Sequence, residues 1–248
     1  LLACLLIGVE RNTRRMDFTF SLPFSRRQLF LTKWLYGTII IFVFHGITFL
    51  LAYWMMYISE FAYGLSIVTI NQIYFGPIVS YILLFTFALF VGTFTGEMVS
   101  QFVLTWIFAF FPSGIIFLIL YLFDIHYIPS FPMPDWIHYL NVVYYLVEYH
   151  TTATIWGVIG IILLTVLGVM IYEKNKVEHN GEFLIFKQLH PIFLVWITVY
   201  FSLFGGIVVS SIVPWNALTL RVIAYWIGFG IFFFFTFIIT KRLLNMNV

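Results

Sequence analysis

Residues 10–33, ERNTRRMDFTFSLPFSRRQLFLTK, decide how the rest of the chain is read. Arg11, Arg14, Arg15, Arg26, Arg27 and Lys33 are six of the protein's twelve lysines and arginines, and they stand between two strongly hydrophobic stretches. Cations are costly in a hydrocarbon core, so the stretch belongs at a membrane surface, and the positive-inside bias makes that surface the cytoplasmic one. Met16, Phe18, Phe20, Leu22 and Phe24 alternate with polar residues behind the cluster Arg11, Thr13, Arg14 and Arg15. That pattern suits a short helix lying flat with its aromatics toward lipid. Pro23 interrupts it, because the residue before a proline, Leu22, is pushed out of the helical region. Ser25 with Gln28 three positions on then matches a capping box, which predicts a new helix from Arg26 that continues into the first complete hydrophobic span.

Composition supports the membrane reading. The 248 residues are 62% hydrophobic, 22% aromatic and 9% charged, with a mean hydropathy of +1.04, which excludes a soluble domain. A spanning helix needs about 20 apolar residues and a barrel strand about 10 in alternation, so the long unbroken apolar runs select helices. The expected fold class is therefore all-α, a polytopic transmembrane helical protein forming a single membrane domain. Cys4 is the lone cysteine, which excludes an internal disulfide. Leu1–Val9 is apolar and reads as the tail of a span whose beginning is missing.

Six complete spans are expected, over about 34–58, 76–95, 102–123, 153–172, 192–212 and 218–240. Trp34 and Tyr36 mark one interface of the first, and Tyr53, Trp54 and Tyr57 the other. Phe111-Pro112-Ser113-Gly114 should kink or interrupt the third span. Residues 124–150 form a non-spanning stretch broken by Pro129, Pro132 and Pro134. Asp135 reads as an N-cap there, with Trp136, Leu140, Val143, Tyr144 and Val147 on one face of an amphipathic helix. Placing the basic stretch inside puts eleven of the twelve lysines and arginines in the cytoplasm, together with the C-terminus, and leaves only Arg221 outside. Residues 124–150 are then external.

Charge alone would be met by a juxtamembrane segment that binds anionic headgroups. The order Glu10, Asp17, Ser21-Leu22-Pro23-Phe24-Ser25-Arg26 and Lys33, however, resembles the cytoplasmic coupling segment of ABC-2 type transporter permeases. That segment carries an acidic residue, an apolar turn, a Ser-Leu-Pro-x-Ser-Arg run and a lysine at this spacing. The chain departs from the pattern at Arg14-Arg15, where the family usually has Gly-Thr. The resemblance covers about residues 10–172 and implies the membrane domain of an ABC-2 (type V exporter-like) transporter. The two last spans exceed its six-span pattern. It implies an ATPase-coupling interface at Glu10, Arg14, Arg15, Asp17, Leu22, Pro23, Phe24, Ser25 and Arg26. It also implies a cytoplasmic ABC ATPase subunit that holds ATP and magnesium, a second permease subunit (identical or related), membrane lipid around the helices, and no nucleic acid.

Other chemistry finds little support in the residues. No G-x-x-x-x-G-K-[ST], H-E-x-x-H or G-x-S-x-G occurs, so ATP-driven work must come from a separate subunit and the chain is not expected to be an enzyme. It is expected to hold no cofactor of its own. His126, His138 and His150 share the 124–150 stretch with Asp124, Asp135 and Glu148, yet their spacing matches no ligand pattern, so no metal is expected. His45, mid-span, and Pro112 are candidates for a pathway or gating role, with a packing role as the plain alternative. The function expected is an exporter permease in the cell membrane, for an apolar or amphipathic substrate such as a peptide, antibiotic or lipid. The alternatives are a non-transporting sensor or assembly subunit that binds an ABC ATPase, and a membrane-embedded metal-dependent enzyme.

Overall fold

The computed structural model describes residues 1–13, 15–129, 135–175 and 181–245, without the side chains of Asp17, Asp135 and Asn245. Among these residues the fold is all-α, and six helices are long and apolar enough to cross a membrane. The first is α3, reached through a π-helical turn (Cys4–Gly8) and the short helices α1 (Val9–Asn12) and α2 (Arg15–Ser21). The spans are α3 (Arg26–Tyr57), α4 (Gly76–Phe94), α5 (Met98–Ile125), α6 (Thr151–Glu173), α7 (His190–Ser211) and α8 (Leu218–Asn245). A π-helical turn over Asn71–Phe75 leads into α4, and Pro77 occupies its first turn, where a missing N–H costs nothing.

The single membrane domain read from the sequence resolves into two compact units. One holds Leu1–Phe110 and Asp135–Ile185, the other Phe111–Pro134 and Phe186–Val248. The division falls at Phe110 and Phe111, next to Pro112. Proline did not interrupt the helix, since α5 is continuous through it. The expected amphipathic helix is replaced by two short 3-10 helices, Asp135–Leu140 and Tyr144–Leu146. Within this stretch Tyr145 is buried and ties back to the bundle: its carbonyl accepts from the Ser80 hydroxyl of α4. Tertiary anchoring by an aromatic outweighed the 3.6-residue pattern. The Asp135 N-cap side chain lies outside the described residues, as do residues 130–134 with Pro132 and Pro134.

In the first unit α4 is the central helix, packed by α3 and α6. Close approach is set by small residues: an added Cβ at Gly168 of α6 would lie 2.6 Å from Phe30 Cζ of α3, so the glycine makes room for the ring. A polar pair links two of the spans: Trp34 Nε1 of α3 donates to Thr86 Oγ1 of α4 at 2.9 Å. In the second unit α7 and α8 form an extensively packed pair, with Gly206 receiving Tyr225. The C-terminal half of α5 joins that pair through Phe111, whose ring stacks on Tyr200 at 5.4 Å.

Candidate functional site: a charged elbow at one end of the first unit

The helices of the first unit alternate in direction, so the start of α3, the end of α4, the start of α5 and the end of α6 meet at one end. The basic stretch lies there. Ser25 adopts an extended backbone, its hydroxyl accepts from the Gln28 N–H at 3.3 Å, and Gln28 Oε1 accepts from the Ser25 N–H at 2.9 Å. The capping box is therefore formed in full. It starts a helix of 32 residues, about 48 Å at 1.5 Å per residue, with no break between the elbow and the far end of the span.

Three sets of contacts hold the elbow. Glu10 of α1 pairs with Lys33 of α3, which is mostly buried. Asn12 Oδ1 accepts the Met98 N–H at 3.0 Å, capping α5 from another element, while Glu97 accepts from Ser100 Oγ at 2.8 Å. At the end of α6, Arg26 Nη1 donates to the carbonyls of Glu173 (2.9 Å) and Asn175, and Arg27 pairs with the Glu173 carboxylate. These bonds tie α1, α3, α5 and α6 together as a clamp.

Tyr172 is the apolar hub of the clamp. Its ring meets Phe20 edge-on at 5.6 Å and Phe30 at 5.5 Å, and the Arg26 guanidinium sits 4.7 Å over Phe20. Met16 and Phe30 are buried in the same core. The sequence reading placed the aromatics of α2 toward lipid. Instead Phe20 packs inward, and Met16 lies in the core because positions 16 and 20 share one helical face. Arg11 is 2% exposed and its three guanidinium nitrogens have no hydrogen-bond partner among the described residues. Burial pushes its pKa down to about 10, opposed by Tyr172 and Glu10.

The remaining surface faces outward. Arg15, Pro23 and Ser25 are exposed, Leu22 and Arg26 are half-buried, and Phe18 and Phe24 are 70% and 58% exposed. Exposed phenylalanine rings in a stretch rich in arginine are side chains suited to contact with another protein. Arg14 and the side chain of Asp17 lie outside the described residues. Of the residues singled out in the sequence, the structure thus uses Glu10, Ser25 and Arg26 to build the elbow and leaves Arg15, Pro23 and Phe24 free on its surface.

The end of α6 was missed as part of this site. From sequence Tyr172 is only the last residue of a span and Glu173 lies just beyond it; their position against Arg26, Arg27 and Phe30 gives them a role. A second missed element is the segment 181–185. Gly181, at φ +95°, donates its N–H to the Gly96 carbonyl at 2.9 Å, Ile185 N–H donates to Phe94 at 2.9 Å, and Thr95 pairs with Leu184 in an antiparallel bridge. A glycine suits the positive φ at 181, but nothing in the sequence names its pairing partner.

The two pathway candidates lie within spans α3 and α5. His45 Nε2 lies 3.3 Å from the Tyr74 carbonyl, and its ring contacts Phe49, Tyr74 and Tyr81. Pro112 lies inside α5. His138 stacks on Tyr144, and His150 Nδ1 is 3.9 Å from the Glu148 carboxylate. Among the described residues no three histidine, cysteine, aspartate or glutamate side chains gather as a metal site would need.

The chain is similar to two bacterial permeases. It is 26% identical over 215 residues to "Probable ABC transporter permease YtrD" of Bacillus subtilis (strain 168), covering 82% of this chain and 65% of that protein. It is also 26% identical over 234 residues to "Probable ABC transporter permease YtrC" of the same organism, covering 86% of this chain and 70% of that one. The chain therefore spans just under two thirds of the length of the first of these relatives. No protein-family model matches the chain, and no solved structure matches it.

Proposed function

We propose that this chain is the membrane-spanning permease subunit of an ATP-driven exporter of the ABC-2 type, and that the elbow is where a separate cytoplasmic ATPase docks. The observation that carries the reading is the mechanical continuity of α3 with the elbow: the capping box starts the helix outside the hydrocarbon and the same helix crosses it. The similarity to two probable ABC transporter permeases supports the class.

In this mechanism, closure of the ATPase pair on ATP presses on the patch formed by Arg15, Phe18, Pro23 and Phe24. The elbow is tied to α3 by Glu10 and Lys33 and to α6 by Arg26 and Arg27, so the load reaches two spanning helices at once. Both helices tilt, and the pathway opens away from the cytoplasm. A second permease subunit completes the pathway. Its cargo is apolar or amphipathic, in keeping with the aromatic content of the spans.

The test is co-expression with the ATPase encoded beside this chain, followed by purification through a tag on the permease. Replacing both Phe18 and Phe24 by serine is expected to leave membrane insertion unchanged and to reduce ATPase recovery by about tenfold, the effect of losing two exposed aromatic anchors. Full ATPase recovery with the double variant would refute docking at the elbow.

A further inference from the structure

The second unit carries a cavity of about 650 Å³ where the end of α5 meets the start of α8, lined by Leu120, Asp124, Tyr127, Ile128, Leu218 and Arg221 among others. Its size lies in the usual range for small-molecule sites. We infer that this cavity binds the headgroup of a zwitterionic phospholipid of the ethanolamine type, with Arg221 taking the phosphate and Asp124 the ammonium group.

Arg221 is the fixed point. It is 7% exposed, its guanidinium lies 4.4 Å over the Trp215 ring, and its only side-chain hydrogen bond among the described residues goes from Nη2 to Tyr121 Oη at 3.3 Å. Tyr121 Oη is itself held 3.0 Å from Ser210 Oγ. The guanidinium is thus positioned by an aromatic face and one hydroxyl while most of its N–H donors stay unused, and a guanidinium fork matches two phosphate oxygens. The charge count places Arg221 alone outside. It is packed inward, toward the cavity.

Asp124 supplies the opposite charge. It is exposed, lines the same cavity, and forms no ion pair with Arg221 or with any other cation among the described residues. Two opposite charges that share a cavity without meeting leave room for a ligand carrying both signs in reverse order. The rim is shaped for this. Helix α5 ends in a left-handed turn: the Ile128 N–H donates to the Phe123 carbonyl at 2.9 Å, the Tyr127 N–H to Asp124 at 3.1 Å, and Tyr127 sits at φ 57°. Glycine is the usual residue there, and a tyrosine costs about 1 kcal/mol of backbone energy. That conformation turns the chain back, so that Tyr127 and Ile128 wall the cavity.

The cavity's position selects lipid over a soluble ligand. It lies at the ends of two helices long and apolar enough to span a membrane, where headgroups would sit, and its apolar lining is supplied by Leu120 and Ile128 of the α5 end and by Leu218, exposed at the start of α8. Choline would present methyl groups to Asp124 in place of N–H donors, and glycerol would present no cation.

Native mass spectrometry of the purified full chain in a non-ionic detergent, titrated with palmitoyl-oleoyl phosphatidylethanolamine, phosphatidylcholine and phosphatidylglycerol, tests the site. Phosphatidylethanolamine is expected to bind about tenfold more tightly than either of the others, as one charge-assisted hydrogen-bond set would give. Asp124→Asn should remove that preference and leave phosphatidylcholine binding unchanged. Arg221→Gln should weaken all three by about tenfold, and Arg221→Lys should restore part of the loss. Because Asp124 is exposed, its variant keeps the test decisive if Arg221→Gln does not fold. Equal binding of the three lipids, an unchanged preference in Asp124→Asn, or displacement of the lipid by equimolar O-phosphoethanolamine or trialanine would each overturn the proposal. The two last results would identify a soluble headgroup or a peptide as the occupant.

Discussion

Glu10 sits between two cations, Lys33 and Arg11, and the consequences of removing each side of this group differ. Lys33 is 11% exposed in its side chain and pairs directly with Glu10; the Arg11 guanidinium is more deeply buried, has no hydrogen-bond partner among the described residues and feels Glu10 through space. Glu10→Gln leaves two buried cations without the one carboxylate that acts on both among the described residues. Breaking a buried pair by removing one partner costs about 3–5 kcal/mol, and the partial exposure of Glu10 reduces this to about 3 kcal/mol. Lys33→Met removes a cation but leaves Glu10 next to Arg11, so its cost is about 1 kcal/mol. For a chain of this size 1 kcal/mol moves the melting temperature by about 2–4 °C, which gives losses of about 6–12 °C and about 2–4 °C respectively. Thermal challenge followed by fluorescence-detected size-exclusion chromatography measures both in the same detergent. If Lys33→Met costs as much as Glu10→Gln or more, Glu10 serves one cation only and the three-body account is wrong.

Arg11→Met tests the same group from the other side. With its ion pair untouched and an unpartnered charge removed, the protein should melt about 2–4 °C higher. The pKa of Arg11, about 10 when folded, is below its ordinary 12.5, so between those values the unfolded chain binds more protons. The burial penalty is complete below about pH 10 and is relieved above it, so the wild-type protein should gain on Arg11→Met as pH rises through 10, a trend read from melting at stepped pH. Ser25→Ala removes the hydroxyl half of the capping box and should cost about 1 kcal/mol, seen as faster amide exchange at Arg26–Gln28. In the second unit Gly206→Ala places a Cβ 2.7 Å from the Tyr225 ring and should cost about 1–3 kcal/mol, whereas Gly230→Ala, with nothing within 4 Å, should be neutral or stabilising.

What the sequence made legible follows from how local each signal is. The Ser25–Gln28 box involves four consecutive residues, and it formed as expected; the six spans rest on composition over some 20 residues, and they formed too. The amphipathic helix over 136–147 failed because a handful of apolar positions at helical spacing also suits a looped segment pinned by Tyr145 to Ser80. In the elbow, Glu10 and Lys33 stood out as charges, yet their pairing across 23 positions, and the role of Tyr172, depend on which helices become neighbours. Arg221 stood out in the sequence as the one cation apart from the rest, while its surroundings depended on Trp215 and Tyr121.

The elbow as an ATPase-facing lever is tested most directly by a single cysteine at Phe24. Cys4 is the only native cysteine and is buried, so Cys4→Ser provides a clean background. In intact cells Phe24→Cys should resist a membrane-impermeant maleimide until the membrane is permeabilised, and a bifunctional thiol cross-linker should then join it to the co-expressed ATPase while Tyr127→Cys stays unlinked. Labelling of Phe24→Cys from outside intact cells, or cross-linking of the ATPase to Tyr127→Cys instead, would contradict the account.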